Sequence, residues 1–99
     1  MRNYEVVVIV HPDLDESAFS EIVDQVKGWI TEEGGSITNV DLWGKRRMAY
    51  EIRKQREGQY ALIHTEMQPE AQAELARKLR LQESIMRFLV TRAEPVETA

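Results

Sequence analysis

The first apolar run of the chain, Val6 to Val10 within NYEVVVIV (residues 3–10), is β-branched and too short for a buried helix, so it predicts a strand. HPDLDES follows with turn residues and two helix-capping candidates, Asp13 and Asp15. Asp13 with Glu16 three residues on fits a capping box. The apolar period then changes to that of a helix. Ala18, Phe19, Ile22, Val23, Val26 and Ile30 form one stripe, while Asp24, Lys27 and Glu32 fill the other side. Gly34-Gly35 ends the helix.

SITNVDLWGKRRMAYEIRK predicts a second strand, long and irregular. Met48, Tyr50 and Ile52 alternate with Arg47, Ala49 and Glu51, and Gly44 marks a bulge or bend. KQREG reads as a turn closing on Gly58, and QYALIHTEM as a third strand, so the two strands form a hairpin. Thr65 or Gln68 leads into Pro69, which suits a first helical turn. Ala71, Gln72, Leu75 and Leu79 carry a second helix to about Leu81. SIMRFLVTR is the fourth strand, and AEPVETA a loose tail.

The order β-α-β-β-α-β predicts two β-α-β halves with right-handed crossovers. The fold class is α+β and ferredoxin-like: a four-stranded antiparallel sheet with both helices on one face. Residues 1–92 make a single domain and 93–99 a flexible C-terminal tail. In the strand order 4-1-3-2 the second strand is an edge, and one face of the sheet has no helix to cover it.

A chain of 99 residues with 42% hydrophobic and 30% charged residues holds one core, and is too apolar to be disordered. It has no cysteine, hence no disulfide framework and no thiolate metal site; a reducing cytoplasm is the expected home. No segment reads as a signal peptide or a membrane span.

Charge changes the picture more. The net charge is −4, yet six of the thirteen Lys and Arg residues lie in GKRRMAYEIRKQR, residues 44–56. Residues 1–44 carry two basic residues against nine acidic, and residues 45–92 carry eleven against six. That asymmetry predicts a two-faced molecule with a basic side toward an anionic partner. Lysines on an edge strand also serve to prevent edge-to-edge aggregation. Arginines around a tyrosine equally suit phosphate and ribose. Composition leaves both readings open.

The case for catalysis is poor. His11 and His64 have no partner at a telling spacing, helix capping accounts for Asp13, Asp15 and Glu16, and Gly34-Gly35 precedes no helix. No cofactor, metal or small-molecule substrate is expected. Base stacking on the central strands, as in RNA-recognition modules, needs more rings than Tyr60 supplies, and strand one has Val where an aromatic belongs.

GKRRMAYEIRK resembles the signature of the bacterial small-subunit ribosomal protein six family. The matching positions are Gly44, Arg46, Arg47, Met48, Ala49, Tyr50, Ile52 and Arg53, with Met48 in place of the usual Leu. MRNYEVVVIVHPDLDE resembles that family's opening, GQYALIHTEM its third strand, and LARKLRLQESIMRFLVTR its second helix and last strand. The resemblance implies a ferredoxin-like structural protein of the small ribosomal subunit, without catalysis. It implies binding to the central domain of 16S rRNA as a heterodimer with ribosomal protein eighteen. By the same resemblance Arg2, Lys45, Arg46, Arg47, Lys54, Arg87 and Arg92 are RNA-contact candidates. Met48, Tyr50, Tyr60 and Leu62 are partner-contact candidates, Met48 and Tyr50 being equally readable as packing within the sheet.

Overall fold

Six elements follow one another in the predicted order: β1 (Arg2–Val10), α1 (Glu16–Glu32), β2 (Ser36–Ile52), β3 (Gln55–Met67), α2 (Pro69–Leu81) and β4 (Ile85–Arg92). This computed structural model describes residues 2–52 and 55–92, and the side chains of all of these except 49–52. The sheet has the order β2-β3-β1-β4 with every neighbour antiparallel, so the basic β2 is an edge. The expected tail from residue 93 lies outside the described residues.

β1 is central because its β-branched residues pack well between two neighbours. Tyr4, Val6, Val8 and Val10 alternate toward the helices, as the twofold repeat of a strand requires. There they meet Ala61, Ile63 and Met67 of β3, Phe19, Val23, Val26 and Ile30 of α1, and Ala71, Leu75 and Leu79 of α2. This is the main core, and it lies wholly between the sheet and the two helices. The helices are tied to each other by Lys78 Nζ on Glu32 Oε2 (3.4 Å) and by Gln82 donating to Gln25 (2.6 Å).

The cap of α1 differs from the expected Asp13–Glu16 box. The helix starts at Glu16, so Asp15 is the residue whose carboxylate reaches the free N–H of the first turn; its Oδ1 accepts from Ala18 N–H at 2.8 Å. Asp13 stands two residues too early and faces His11 instead, its carboxylate 3.6 Å from Nδ1. Asp15→Ala should lower the unfolding free energy by about 1 kcal/mol and Asp13→Ala by much less, as read from urea denaturation. An equal loss at both positions would count against this assignment. α2 begins at Pro69 after Gln68, while Thr65 is buried in β3 and donates its hydroxyl to Ser36 O at 2.7 Å.

The hairpin is longer than the sequence predicts. KQREG is not a five-residue turn, because β3 already begins at Gln55 and pairs Glu57 with Arg47 and Gly58 with Arg46. Gly58 misleads as a turn residue; it is a point of close approach. A Cβ there would lie 2.4 Å from Ile9 Cγ2 and 3.3 Å from Met86 Cε. The β1–β3 pairing ends at Val10 and Gln59, so residues 45–52 of β2 and 55–58 of β3 form a two-stranded overhang at and beyond the end of β1.

Candidate nucleic-acid and protein interface

The face of the sheet without helices carries cross-strand rows set by the register. One row is Leu89, Val7, Leu62 and Asp41; the next is Arg87, Ile9, Tyr60 and Gly44; on the other side lie Thr91, Glu5, His64 and Asn39. Val7 and Leu62 are half-buried and Leu89 is 52% exposed, giving an apolar band across three strands. Gly44 has φ +73°, a left-handed conformation that glycine adopts without strain, and the register shifts between Leu42 and Gly44. This bulge makes Trp43 the extra residue, and its ring stacks on Tyr60 with centroids 6.1 Å apart. The Trp43 indole N–H donates to Asp41 Oδ2 at 2.9 Å, which fixes the ring at the rim of the band.

Below the band sits a second, small core of Ile9, Met48 and Met86, with Tyr60 packed against it. A shift in the β1–β4 register, from Ile9–Arg87 to Val10–Ile85, leaves Met86 unpaired in the ladder and available to this cluster. Met48 is buried here against Ile9 and Met86. Tyr60 and Leu62 are half-buried on the helix-free face. The side chain of Tyr50 lies outside the described residues, as does Lys54.

The cations divide into two populations. Those on the helices are partnered: Lys27 with Asp24 at 3.1 Å, Lys78 with Glu32 and Glu33, and Arg77 with Glu74. The Arg77 hydrogen bond holds the Glu74 carboxyl below its ordinary range, and the same bond raises the Arg77 guanidinium. Arg80 lies 6.0 Å above the Phe88 ring. In contrast, Lys45, Arg46 and Arg47 are exposed on the overhang and make no ion pair among the described residues. The guanidinium of Arg46 reaches only Lys45 O, at 3.3 Å. Arg87 is exposed on the same face as Ile9, which the register sets opposite it.

The structure thus gathers Lys45, Arg46, Arg47 and Arg87 at one end of the sheet. It leaves Arg2 and Arg92 at the other, opposite Met67 and Tyr4. Arg2 and Ile9 are seven residues apart on one strand, roughly 23 Å. The strand pairing also sets His64 beside Glu5 across the strands, at 3.9 Å. Among the described residues no three His, Cys, Asp or Glu side chains could hold a metal ion, and no helix is long and apolar enough to cross a membrane.

Val7, Ile9, Trp43, Met86 and Leu89 were not among the expected contacts, yet they build most of this face. The signal was present in β1. A strand covered on one side alternates apolar and polar residues, whereas Val6 to Val10 does not alternate at all.

A four-stranded antiparallel sheet with two helices on one face, and an apolar band with exposed cations on its helix-free side and end, defines a ferredoxin-like α+β protein. Residues 3–92 match the family Ribosomal protein S6, and the chain belongs to that family. It is 47% identical to the small ribosomal subunit protein bS6 of Moorella thermoacetica, over 95% of this chain and 96% of that protein. With the bS6 of Nocardia farcinica the identity is 49%, over 93% and 97%. The crystal structure of 30S ribosomal protein S6 from Thermotoga maritima superposes with a TM-score of 0.89 at 33% identity, covering 93% of this chain and 87% of that one. The C-terminal domain of the MgtC protein from Mycobacterium tuberculosis shares the fold alone, with a TM-score of 0.67 at 14% identity. The chain is accordingly a structural component of the small ribosomal subunit in the cytoplasm, of a family not known for enzymes.

Proposed function

We propose that the chain binds the central domain of 16S rRNA as a heterodimer with ribosomal protein eighteen. The observation that carries this is the juxtaposition at one end of the sheet. Lys45, Arg46 and Arg47 have no carboxylate partner among the described residues, and they adjoin the apolar band of Val7, Leu62 and Leu89. Phosphate oxygens suit the first group and a protein partner suits the second. Tyr60, Leu62 and Tyr50 are the partner contacts of this reading, joined by Leu89. Met48 supports them from beneath. Arg87 belongs with the overhang cations, and Lys54 extends them along the sequence. Arg2 and Arg92 serve a second, separate stretch of RNA. The family match over residues 3–92 supports one domain ending near Arg92, with the last residues as a tail.

The energetics favour a cooperative binder. Each neutralised phosphate adds salt-sensitive affinity, and a body of net charge −4 opposes it. A partner that covers the apolar band and brings positive charge supplies the remainder. This chain alone should bind central-domain RNA weakly, and the equimolar mixture with ribosomal protein eighteen tightly. Filter-binding titrations of each protein and of the mixture measure this directly. Tight binding that ignores the partner would sink the proposal.

A further inference from the structure

A cleft of about 540 Å³ lies between the first turns of α1 and the bulged part of β2, and shares Trp43 with the rim of the apolar band. Its apolar lining is Phe19, Leu42 and Trp43, and its polar lining includes Glu16, Lys45 and Gln59. Leu42 and Trp43 are 50% and 40% exposed. Gln59 is only 5% exposed, and its Nε2 donates to His11 O at 3.1 Å and Leu14 O at 2.8 Å. Its carbonyl oxygen accepts from no described residue, and Gln59 lines the cleft. Glu16 and Lys45 also form no ion pair among the described residues. The cleft therefore offers a carboxylate, an amide carbonyl and an ammonium group, none with a partner among the described residues, between apolar walls.

We propose that this cleft holds a single unpaired guanine of the bound RNA. Unstacked bases are recognised in proteins by apolar or aromatic walls and by hydrogen bonds to the Watson–Crick edge. Guanine is the one common base with two adjacent donors on that edge, N1–H and N2–H₂, beside an acceptor, O6. The Glu16 carboxylate takes the two donors, the Gln59 carbonyl supplements it at N2, and the Lys45 ammonium donates to O6. Adenine and cytosine present one amino donor next to acceptors, and uracil one donor between two acceptors. Each leaves the carboxylate half-satisfied and in repulsion with a base acceptor. Lys45 is the first residue of the overhang cations, so the cleft continues the phosphate-binding edge. The inference rests on the RNA binding proposed above and specifies one nucleotide within it.

The test is a titration of the full chain with the pentanucleotides UUGUU, UUAUU, UUUUU and the inosine analogue UUIUU, followed by NMR at the Trp43 indole and the Gln59 amide. UUGUU should bind at least about tenfold more tightly than UUAUU or UUUUU, with UUIUU in between because it lacks the N2 amine. Glu16→Gln, an exposed position in a first helical turn, should leave the fold intact and reduce the guanine preference to within about twofold. Equal affinity for all four oligonucleotides overturns the guanine cleft while leaving RNA binding by the overhang standing. It is also overturned if the preference survives in Glu16→Gln, or if millimolar UUGUU leaves the Trp43 and Gln59 signals unmoved. Loss of binding in the two-protein filter assay instead strikes the RNA reading itself.

Discussion

Gly58→Ala is expected to destabilise the protein by about 2–3 kcal/mol, a large effect for one added methyl group. A Cβ at residue 58 would stand 2.4 Å from Ile9 Cγ2, 3.3 Å from Met86 Cε and 3.7 Å from Met48 Sδ. The methionine ends move at little expense, since Met is flexible along its whole length. Ile9 Cγ2 does not. It branches at Cβ on the central strand, paired on one side with Tyr60 and on the other with Arg87, so relief requires a rotamer change or a shift of the sheet. The strain comes from the neighbour and not from the backbone, because Gly58 does not have the positive φ of Gly34 and Gly44. A double-mutant cycle with Ile9→Ala separates the two origins. If the clash is the cause, the two substitutions couple by roughly 0.5–3 kcal/mol, the second being less harmful once the first is present. Additive losses in urea denaturation would return Gly58 to the role of a turn residue.

That glycine also shows where sequence reasoning reaches its limit. The elements themselves were legible because each follows from local periodicity. The stripe from Phe19 to Ile30 and the positions Ala71, Leu75 and Leu79 all face the core. Gly44 was legible too, since a glycine inside an alternating run has few uses other than a bulge. Gly58 was not, because QREG looks the same whether its glycine turns the chain or makes room for a side chain 49 residues earlier. Asp15 and Asp13 were ambiguous for a related reason: capping depends on the one residue at which the helix starts, and boundaries are the least determined feature of a periodic pattern. The signature around residues 44–53 identified the family without showing what its residues do. Met48 belongs to the small outer core, and the apolar band is built largely by β1 and β4, which the signature does not include.

The division of cations matters in the same way. Thirteen Lys and Arg residues in a chain of net charge −4 say little about RNA until their partners are known. On the helices Lys27, Arg77 and Lys78 are neutralised locally by carboxylates. On the overhang Lys45, Arg46 and Arg47 form no ion pair among the described residues, even though the register sets Glu57 opposite Arg47, so their charge remains available to an external anion. The acidic total therefore arises mostly from the first half of the chain, and it does not weaken the basic end of the sheet beyond a Debye length, roughly 10 Å at 0.1 M salt.

Replacing Arg46 and Arg47 together by Glu should lower the affinity of the heterodimer for 16S central-domain RNA by about a hundredfold near 0.1 M salt. The dependence of log K on log salt should become shallower by about 2, since each duplex phosphate contact contributes a slope of about −0.9. The fold should be nearly indifferent. Both side chains are exposed and without ion pairs among the described residues, and surface changes of that kind stay within about 0.5 kcal/mol. Arg77→Glu is the matched control. Its charge reversal is that of one of the two overhang substitutions, and it breaks the contact with Glu74, but it lies on α2, on the helix side of the sheet. Its RNA affinity and salt slope should match those of the native chain. Filter binding from 50 to 300 mM salt, with urea denaturation of each variant, distinguishes the outcomes. Parallel salt lines for native and Arg46→Glu/Arg47→Glu chains would place the phosphate contacts elsewhere. A slope reduced equally in the Arg77→Glu chain would mean that net charge, and not the overhang, governs binding.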